Sequence, residues 1–406
     1  MGLEQQQCRK AQLPLTSWPQ IGKNKRVNDS TIKTPALDQL YLRHSSKWRR
    51  FSGDVLPMHV AEMDFEIAKP VQDLITRMVS ESDLGYLGPV PEVAEAFERF
   101  AVSRWNWQID ASQLRLATDV GLATVEYLRA NLREGERVIV TSPVYSGFYE
   151  WLKELNIEPL DVALLHTDAG WRLDLAGIEA AYQAGHLHLL LCNPHNPTGR
   201  AFDRSELTAL AELSQRYGAT IISDEIHAPL TYGEFVPYLT CGEAAAETGV
   251  VITSSSKSWN LAGLKAAFLL TQSETMAAKV AKLPAAAHWR TSILGAFAMA
   301  EAYNSGVEWL DATVKALDAN RKHLATELER MLPEIGYEIP EAGYLAWLDL
   351  RGTSLTSARI LEEAKVSLVP GPDMGGEAYA KFARLNFGTS PEIITHGLER
   401  IAKLAR

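Results

Sequence analysis

From about residue 70 onward, short apolar runs alternate with segments of helical periodicity. "GERVIVTSP" (135–143), "HLHLLLCNP" (186–194), "ATIISDEIH" (219–227) and "GVVITSSSK" (249–257) each read as a buried strand ending in polar residues. Strands of this kind separated by helices predict an α/β domain, with a mainly parallel sheet covered by helices on both faces. In such sheets ligands gather beyond the carboxyl ends of the strands. All four runs end there in residues with usable chemistry: Pro143-Val144-Tyr145, Asn193 to Gly199, Asp224 to His227, and Ser254 to Lys257. Four distant segments are thus expected to converge on one edge. Past about residue 285 the pattern changes. Segments 288–303 and 307–332 read as long amphipathic helices, and "YLAWLDL", "VSLVP" and "FARLNFG" as short strands. The expected organisation is an N-terminal arm over 1–30, a first part of a small domain over 31–70, a large domain over 71–285, and the rest of a small α+β domain over 286–406.

Composition narrows the class. Of 406 residues, 46% are hydrophobic and 22% charged, an ordinary globular balance with enough apolar material for two domains. A formal net charge of −10 argues against a nucleic-acid surface as the main function. The basic runs Lys23 to Arg26 and Lys47 to Arg50 are short and read as solvated faces. Cys8, Cys192 and Cys241 are too few and too far apart for a disulfide framework or a zinc site. The first twenty residues lack the apolar stretch of a signal peptide. No segment reaches the roughly 18 unbroken apolar residues of a membrane span. A soluble, cytoplasmic protein with neither a membrane nor a nucleic-acid partner is expected.

Several residues suggest a site. Lys257 stands behind three serines at a strand end, where desolvation lowers a lysine's pKa and readies its amine for covalent or proton-transfer chemistry. Ser254 and Ser256 offer hydroxyls to an anion beside it. Gly121 falls where the helix of "TDVGLATVEYLRANL" (118–132) begins, so the amides around Val120, Gly121 and Leu122 are placed to hold the same anion. Asp224 ends a buried strand, an expensive place for an unpaired carboxylate. His227, three residues on, supports Asp224 or its ligand, or is a satisfied core histidine. Arg384, on the strand of "ARLNFG", has the fork to grip an α-carboxylate, which would select amino acids. No GxxxxGK[ST] loop or dinucleotide fingerprint is present. His186 and His188 read as strand alternation, and no metal is expected.

"VLPMHVAEMDF" (55–65), "NPHNPTGR" (193–200), "SDEIHAPL" (223–230), "GYLAWLDL" (343–350) and "RLNFG" (384–388) together resemble fold-type I pyridoxal-phosphate (PLP) enzymes of the aminotransferase superfamily. Within that superfamily they are similar to the MalY/PatB-type cystathionine β-lyases, and the likeness runs over nearly the whole chain. The resemblance implies a large domain with a seven-stranded sheet and a smaller α+β domain. It makes Lys257 the Schiff-base lysine and Asp224 the partner of the cofactor's pyridine nitrogen, whose proton makes the ring an electron sink. It has Asn196 donating to the cofactor's phenolate oxygen, and Tyr145 stacked on the ring. Ser254, Ser256, Val120, Gly121, Leu122 and Lys265 would hold the phosphate, Lys265 standing where many relatives carry arginine. Tyr86, in "LGYLGP", would reach the phosphate in a partner subunit, which implies a homodimer with shared sites. Arg384, Asn196, Tyr344, Tyr86 and the stretch Val60 to Asp64 would line the substrate mouth. Leu87 departs from the small hydroxyl residue usual after this tyrosine, and bears on the substrate pocket.

The implied function is a C–S β-lyase that releases thiol, pyruvate and ammonia from cystathionine or another S-substituted cysteine. A thiolate leaves readily because thiol pKa values are only about 8.5. Residue logic alone leaves open an aminotransferase, or loss of CO2 from a specialised cysteine conjugate. A regulatory protein on an enzyme fold is a further class. Residues 1–30 are too short and irregular for a winged helix.

Overall fold

Seven strands form the central sheet of the computed structural model, which describes residues 32–168 and 170–404. The arm expected over 1–30 lies outside the described residues. The strands are β1 (Leu114–Ala117), β2 (Val138–Val140), β3 (Pro159–Asp161), β4 (His188–Cys192), β5 (Thr220–Asp224), β6 (Gly249–Thr253) and β7 (Ala267–Leu270). Their order is β1-β7-β6-β5-β4-β2-β3. β2 to β6 run parallel, and β7 lies antiparallel to both β6 and β1. Every residue of β4, β5 and β6 is buried. That explains their continuous apolar runs, since helices cover both faces. From β2 the chain passes outward to β3 and re-enters at β4 on the other flank of β2. The crevice at this switch point opens beyond the carboxyl ends of β2 and β4.

Three helices carry the strand ends into that crevice. α1 (Val120–Asn131) follows β1, with Asp119 as its N-cap, and α2 (Ser146–Glu154) starts from Tyr145. α3 (Ser255–Ser258) is a single turn after β6, and Ser254 caps it by accepting the Ser256 amide. Beyond the sheet, the helix expected over 288–303 is divided. A short turn at Ala286–Trp289 precedes α4 (Ile293–Ser305), which Ser292 caps. α4 is not amphipathic. Ala296, Ala298, Met299, Ala300, Ala302 and Tyr303 are buried on several of its sides, as in a core helix. Its small residues permit close approach: a Cβ on Gly295 would sit 2.1 Å from the Leu264 carbonyl oxygen. α5 (Val307–Met331) is the long helix expected there.

A second, antiparallel sheet has the order β8-β9-β11-β10, from Gly336–Tyr337, Leu345–Asp349, Val369–Pro370 (β10) and Phe382–Asn386 (β11). "VSLVP" is two short strands, not one. Val369–Pro370 joins this sheet, while Val366–Ser367 pairs in parallel with Leu56–Pro57. That pairing draws the N-terminal segment to the C-terminal part of the chain, where irregular backbone follows over 58–64. An ion pair anchors its far end. Lys47 Nζ lies 2.8 Å from Asp64 Oδ1, with both side chains almost fully buried, so only Arg49 and Arg50 of the run Lys47 to Arg50 form the solvated face expected there. Trp48 Nε1 donates to the same oxygen at 3.1 Å, and Lys47 Nζ to the Glu62 carbonyl at 3.2 Å.

Removing one member of such a pair leaves a buried, uncompensated charge. Lys47→Met should therefore lower the unfolding free energy by about 3–5 kcal/mol in urea denaturation. Replacing both partners, as Lys47→Met with Asp64→Leu, should restore most of the loss. Equal damage in the single and double variants would contradict this account.

Candidate active site

The strand ends meet the 58–64 segment in the crevice. Lys257, on α3, donates from Nζ to the Ala61 carbonyl at 2.8 Å. Desolvation, reinforced by the Arg384 charge and opposed by Asp224 and Glu62, brings its amine down to about 8. Asp224, the last residue of β5, is 6% exposed. Its Oδ1 accepts the Ile226 amide at 3.1 Å, and among the described residues it makes no ion pair. Burial pushes its carboxyl up to about 7, against the pull of the Ile226 amide and Lys257.

Arg384, on β11, is equally enclosed. Nη1 donates to Asn196 Oδ1 and Nη2 to the His59 carbonyl, each at 3.0 Å, and Nε has no partner among the described residues. Burial pulls its guanidinium down to about 10. Tyr344 donates from Oη to the Ala61 carbonyl at 3.0 Å, so one backbone oxygen holds both Lys257 and Tyr344. His227 meets the Tyr344 ring edge-on at 5.8 Å, and its Nδ1 is buried without a partner. Burial, with Lys257 and Arg384 nearby, takes the imidazole down to about 3, so it is neutral at pH 7. Tyr145 is half-buried, and burial raises its hydroxyl against the pull of Arg384. Its ring lies across the first turn of α2, where a Cβ on Gly147 would come within 2.3 Å of it.

A second group surrounds the start of α1. Val120, Gly121 and Leu122 form its first turn, and Asp119 Oδ1 accepts the Leu122 amide at 2.8 Å. Lys265 Nζ lies 3.0 Å from Asp119 Oδ2. The Ser254 hydroxyl donates to the Ala266 carbonyl at 2.6 Å and accepts the Ser256 amide at 3.0 Å, so its hydrogen is already engaged. Tyr86 stands apart. It is 96% exposed on the irregular run 83–90, outside the cluster formed by its own chain. Leu87 is 2% exposed and packs within the hydrophobic core of its own chain.

Four contributors had no individual role assigned from the sequence. Asn386 Nδ2 donates to both the Val60 and Glu62 carbonyls, at 2.6 and 2.8 Å. Asn260 accepts the Met63 amide and donates to its carbonyl. His59 is buried with neither ring nitrogen partnered among the described residues. Glu62 takes the Ser45 hydroxyl at 2.6 Å and adds negative charge near Lys257. Asp119, the N-cap of α1, was not singled out in the sequence.

The arrangement fits the cofactor implied by the resemblance. A buried acid without a counter-ion suits a protonated ring nitrogen, an amine near 8 suits an aldehyde, and a helix start beside a lysine suits a phosphate.

Residues 69–401 match the family model described as aminotransferase class I and II. A Mycobacterium tuberculosis protein provisionally named cystathionine beta-lyase is 36% identical over 89% of this chain and 94% of its own length. The cystathionine beta-lyase of Corynebacterium glutamicum is 35% identical, covering 92% of this chain and all of the relative. A Corynebacterium diphtheriae chain provisionally assigned as a PLP-dependent beta-cystathionase superimposes with a TM-score of 0.87 at 31% identity, covering 92% of this chain and 98% of that one.

The Lys257 amine has a checkable titration. In cofactor-free protein, its labelling by an amine reagent, followed by peptide mass spectrometry, should rise with a midpoint near 8, well below the about 10.4 of an ordinary lysine. Asp224→Asn removes a charge that favours the protonated amine, so the midpoint should fall. Arg384→Met removes one that opposes it, so the midpoint should rise. An ordinary midpoint in all three proteins would refute this electrostatic picture.

Proposed function

The chain belongs to the aminotransferase class I and II family, and we propose that within it the protein is a PLP-dependent C–S β-lyase acting on cystathionine or a related S-substituted L-cysteine. The observation that carries this reading is the buried, unpaired Asp224 carboxyl facing the same crevice as the lowered Lys257 amine. The names of relatives matching nearly the whole chain favour elimination over amino transfer.

Bound there, the cofactor would supply an electron sink for the pair left when the substrate's Cα proton departs. Lys257 would hold the cofactor before substrate arrives, and its freed amine would take the Cα proton. Asp224 would keep a proton on the ring nitrogen. Arg384 would grip the substrate carboxylate, with Asn196 at its side and Tyr344 beside Lys257. Tyr145 would lie over the ring, and His227 would remain a neutral neighbour. The α1 amides, Ser256 and Lys265 would hold the phosphate. With the Cα–H bond broken, its electron pair forms a Cα–Cβ double bond as the Cβ–S bond breaks. The sulfur leaves as thiolate, and hydrolysis of the aminoacrylate gives pyruvate and ammonia.

The exposed Tyr86 supports a homodimer in which it enters the partner's site. The two sheets support a division into a large and a small domain near residue 285. No described helix is long and apolar enough to cross a membrane, and the cytoplasm is the proposed location.

The purified protein with PLP should convert cystathionine or another cysteine S-conjugate to equal amounts of thiol and pyruvate, without any added keto acid. Lys257→Ala should abolish this. Arg384→Lys should lower kcat/KM by roughly a hundredfold through loss of the bidentate grip. Amino transfer to a keto acid, with no thiol released from any conjugate, would establish the aminotransferase instead. Sedimentation should give a dimer, and a monomer with full activity would remove the shared-site proposal.

A further inference from the structure

Asp119 is the one charged group at the start of α1 that the proposed function leaves without a role. Its two oxygens hold two different donors. Oδ1 takes the Leu122 amide at 2.8 Å, and Oδ2 takes the Lys265 ammonium at 3.0 Å. Both donors are among the groups proposed to hold the cofactor phosphate. Asp119 is also close enough to Tyr145 to add to the rise of its hydroxyl pKa.

Part of the rest of this cup is already committed. The Ser254 hydrogen is committed to the Ala266 carbonyl. Gly121 brings no hydroxyl, and a side chain there would meet Trp151, whose Nε1 would lie 2.6 Å from the added Cβ. Lys265 adopts a left-handed backbone, φ 55°, which costs a lysine some strain, and in that conformation its ammonium meets Asp119. Helix capping explains only half of the arrangement. Asparagine or serine would cap α1 as well as aspartate does. Only an acid also neutralises Lys265 and repels a phosphate dianion.

We propose that Asp119 is an affinity-setting competitor within the phosphate cup. It occupies an amide and an ammonium that the phosphate needs, and so weakens binding of the phosphorylated cofactor without acting on the ring. The inference rests on the cofactor reading given above. The Asp119–Lys265 pair is well exposed, 40% and 57%, and pairs of that kind contribute little to folding. Its charge can thus be removed with the fold intact.

The test uses full-length protein stripped of cofactor and titrated separately with PLP and with pyridoxal, which lacks the phosphate. Absorbance of the yellow adduct reports binding, borohydride reduction with peptide mapping locates it at Lys257, and thermal melting checks the fold. Asp119→Asn keeps the cap and removes the charge. Its Kd for PLP should fall roughly tenfold, as expected for loss of one nearby like charge under partial screening, while its Kd for pyridoxal stays unchanged. Lys265→Ala should weaken PLP binding more in the Asp119→Asn background than in the native one, because there the ammonium is free for the phosphate. Unchanged or weaker PLP binding by Asp119→Asn, or an equal gain for pyridoxal, overturns the proposal. Such a result, with PLP still found on Lys257, leaves the proposed function standing. No adduct at Lys257 with either compound defeats both.

Discussion

Enclosing an amine, a guanidinium and a carboxyl in one crevice without pairing them is the constraint on which this structure turns. Charges taken from water ordinarily demand an opposite charge. Here the two cations are held by neutral acceptors instead: the Ala61 carbonyl for Lys257, and the His59 carbonyl with the Asn196 amide oxygen for Arg384. Neutral acceptors offset part of the desolvation and leave the charge uncancelled. Elsewhere the same chain buries charge differently. Lys47 and Asp64 meet at 2.8 Å behind the 58–64 segment. Glu136 and His188 meet at 2.7 Å at the amino ends of β2 and β4, away from the crevice. Burial works against ionisation of Glu136, yet its hydrogen bond and charge interaction with His188, with help from backbone amides, hold it down to about 2. Closed pairs serve the framework, and open charges serve the site.

Open charges need a backbone that does not yield. The acceptors come from irregular chain, which lacks a strand ladder or helix to fix its carbonyls. Side chains take over that task. Asn386 spans the Val60 and Glu62 carbonyls, Asn260 clamps both polar groups of Met63, and Lys47 reaches Glu62 from behind. Asn386 lies on β11, two residues beyond Arg384, so adjacent same-face positions of one strand supply both the buried guanidinium and the clamp on the 58–64 segment. Asn260 follows α3 and so ties the same segment to the helix that carries Lys257. The geometry of the amine and that of its acceptor are thereby fixed together.

What could be read in advance follows from this division. β4, β5 and β6 were legible because full burial leaves an uninterrupted apolar run, and the polar residues closing each run mark the functional edge. Lys257, Asp224 and Arg384 were legible because each is a charged group beside or within such a run. The clamps were not. Asn260 and Asn386 act across the fold, and nothing local separates them from asparagines in turns. α4 misled because alternating small and apolar residues suggest one buried face, whereas tertiary packing covers several. Ser254 was found as a position, but its hydrogen goes to the Ala266 carbonyl, a partner that only the antiparallel return of β7 brings close.

Two histidines complete the electrostatics by withholding charge. His227 and His59 are buried near Arg384, and desolvation together with the nearby cations takes them down to about 3 and about 4. Both are neutral at pH 7. If either were charged, positive potential would spread across the crevice and a carboxylate would gain from several orientations. With both neutral, the fixed cations are Arg384 and the partly protonated Lys257, and the orphaned ring nitrogens remain as uncharged hydrogen-bonding groups. The strongest fixed positive potential then lies at Arg384, beside Asn196. Once the Lys257 amine is engaged or deprotonated, Arg384 is the remaining full positive charge of this group. The positive potential of this crevice is confined as much by burial that silences the imidazoles as by the position of the arginine.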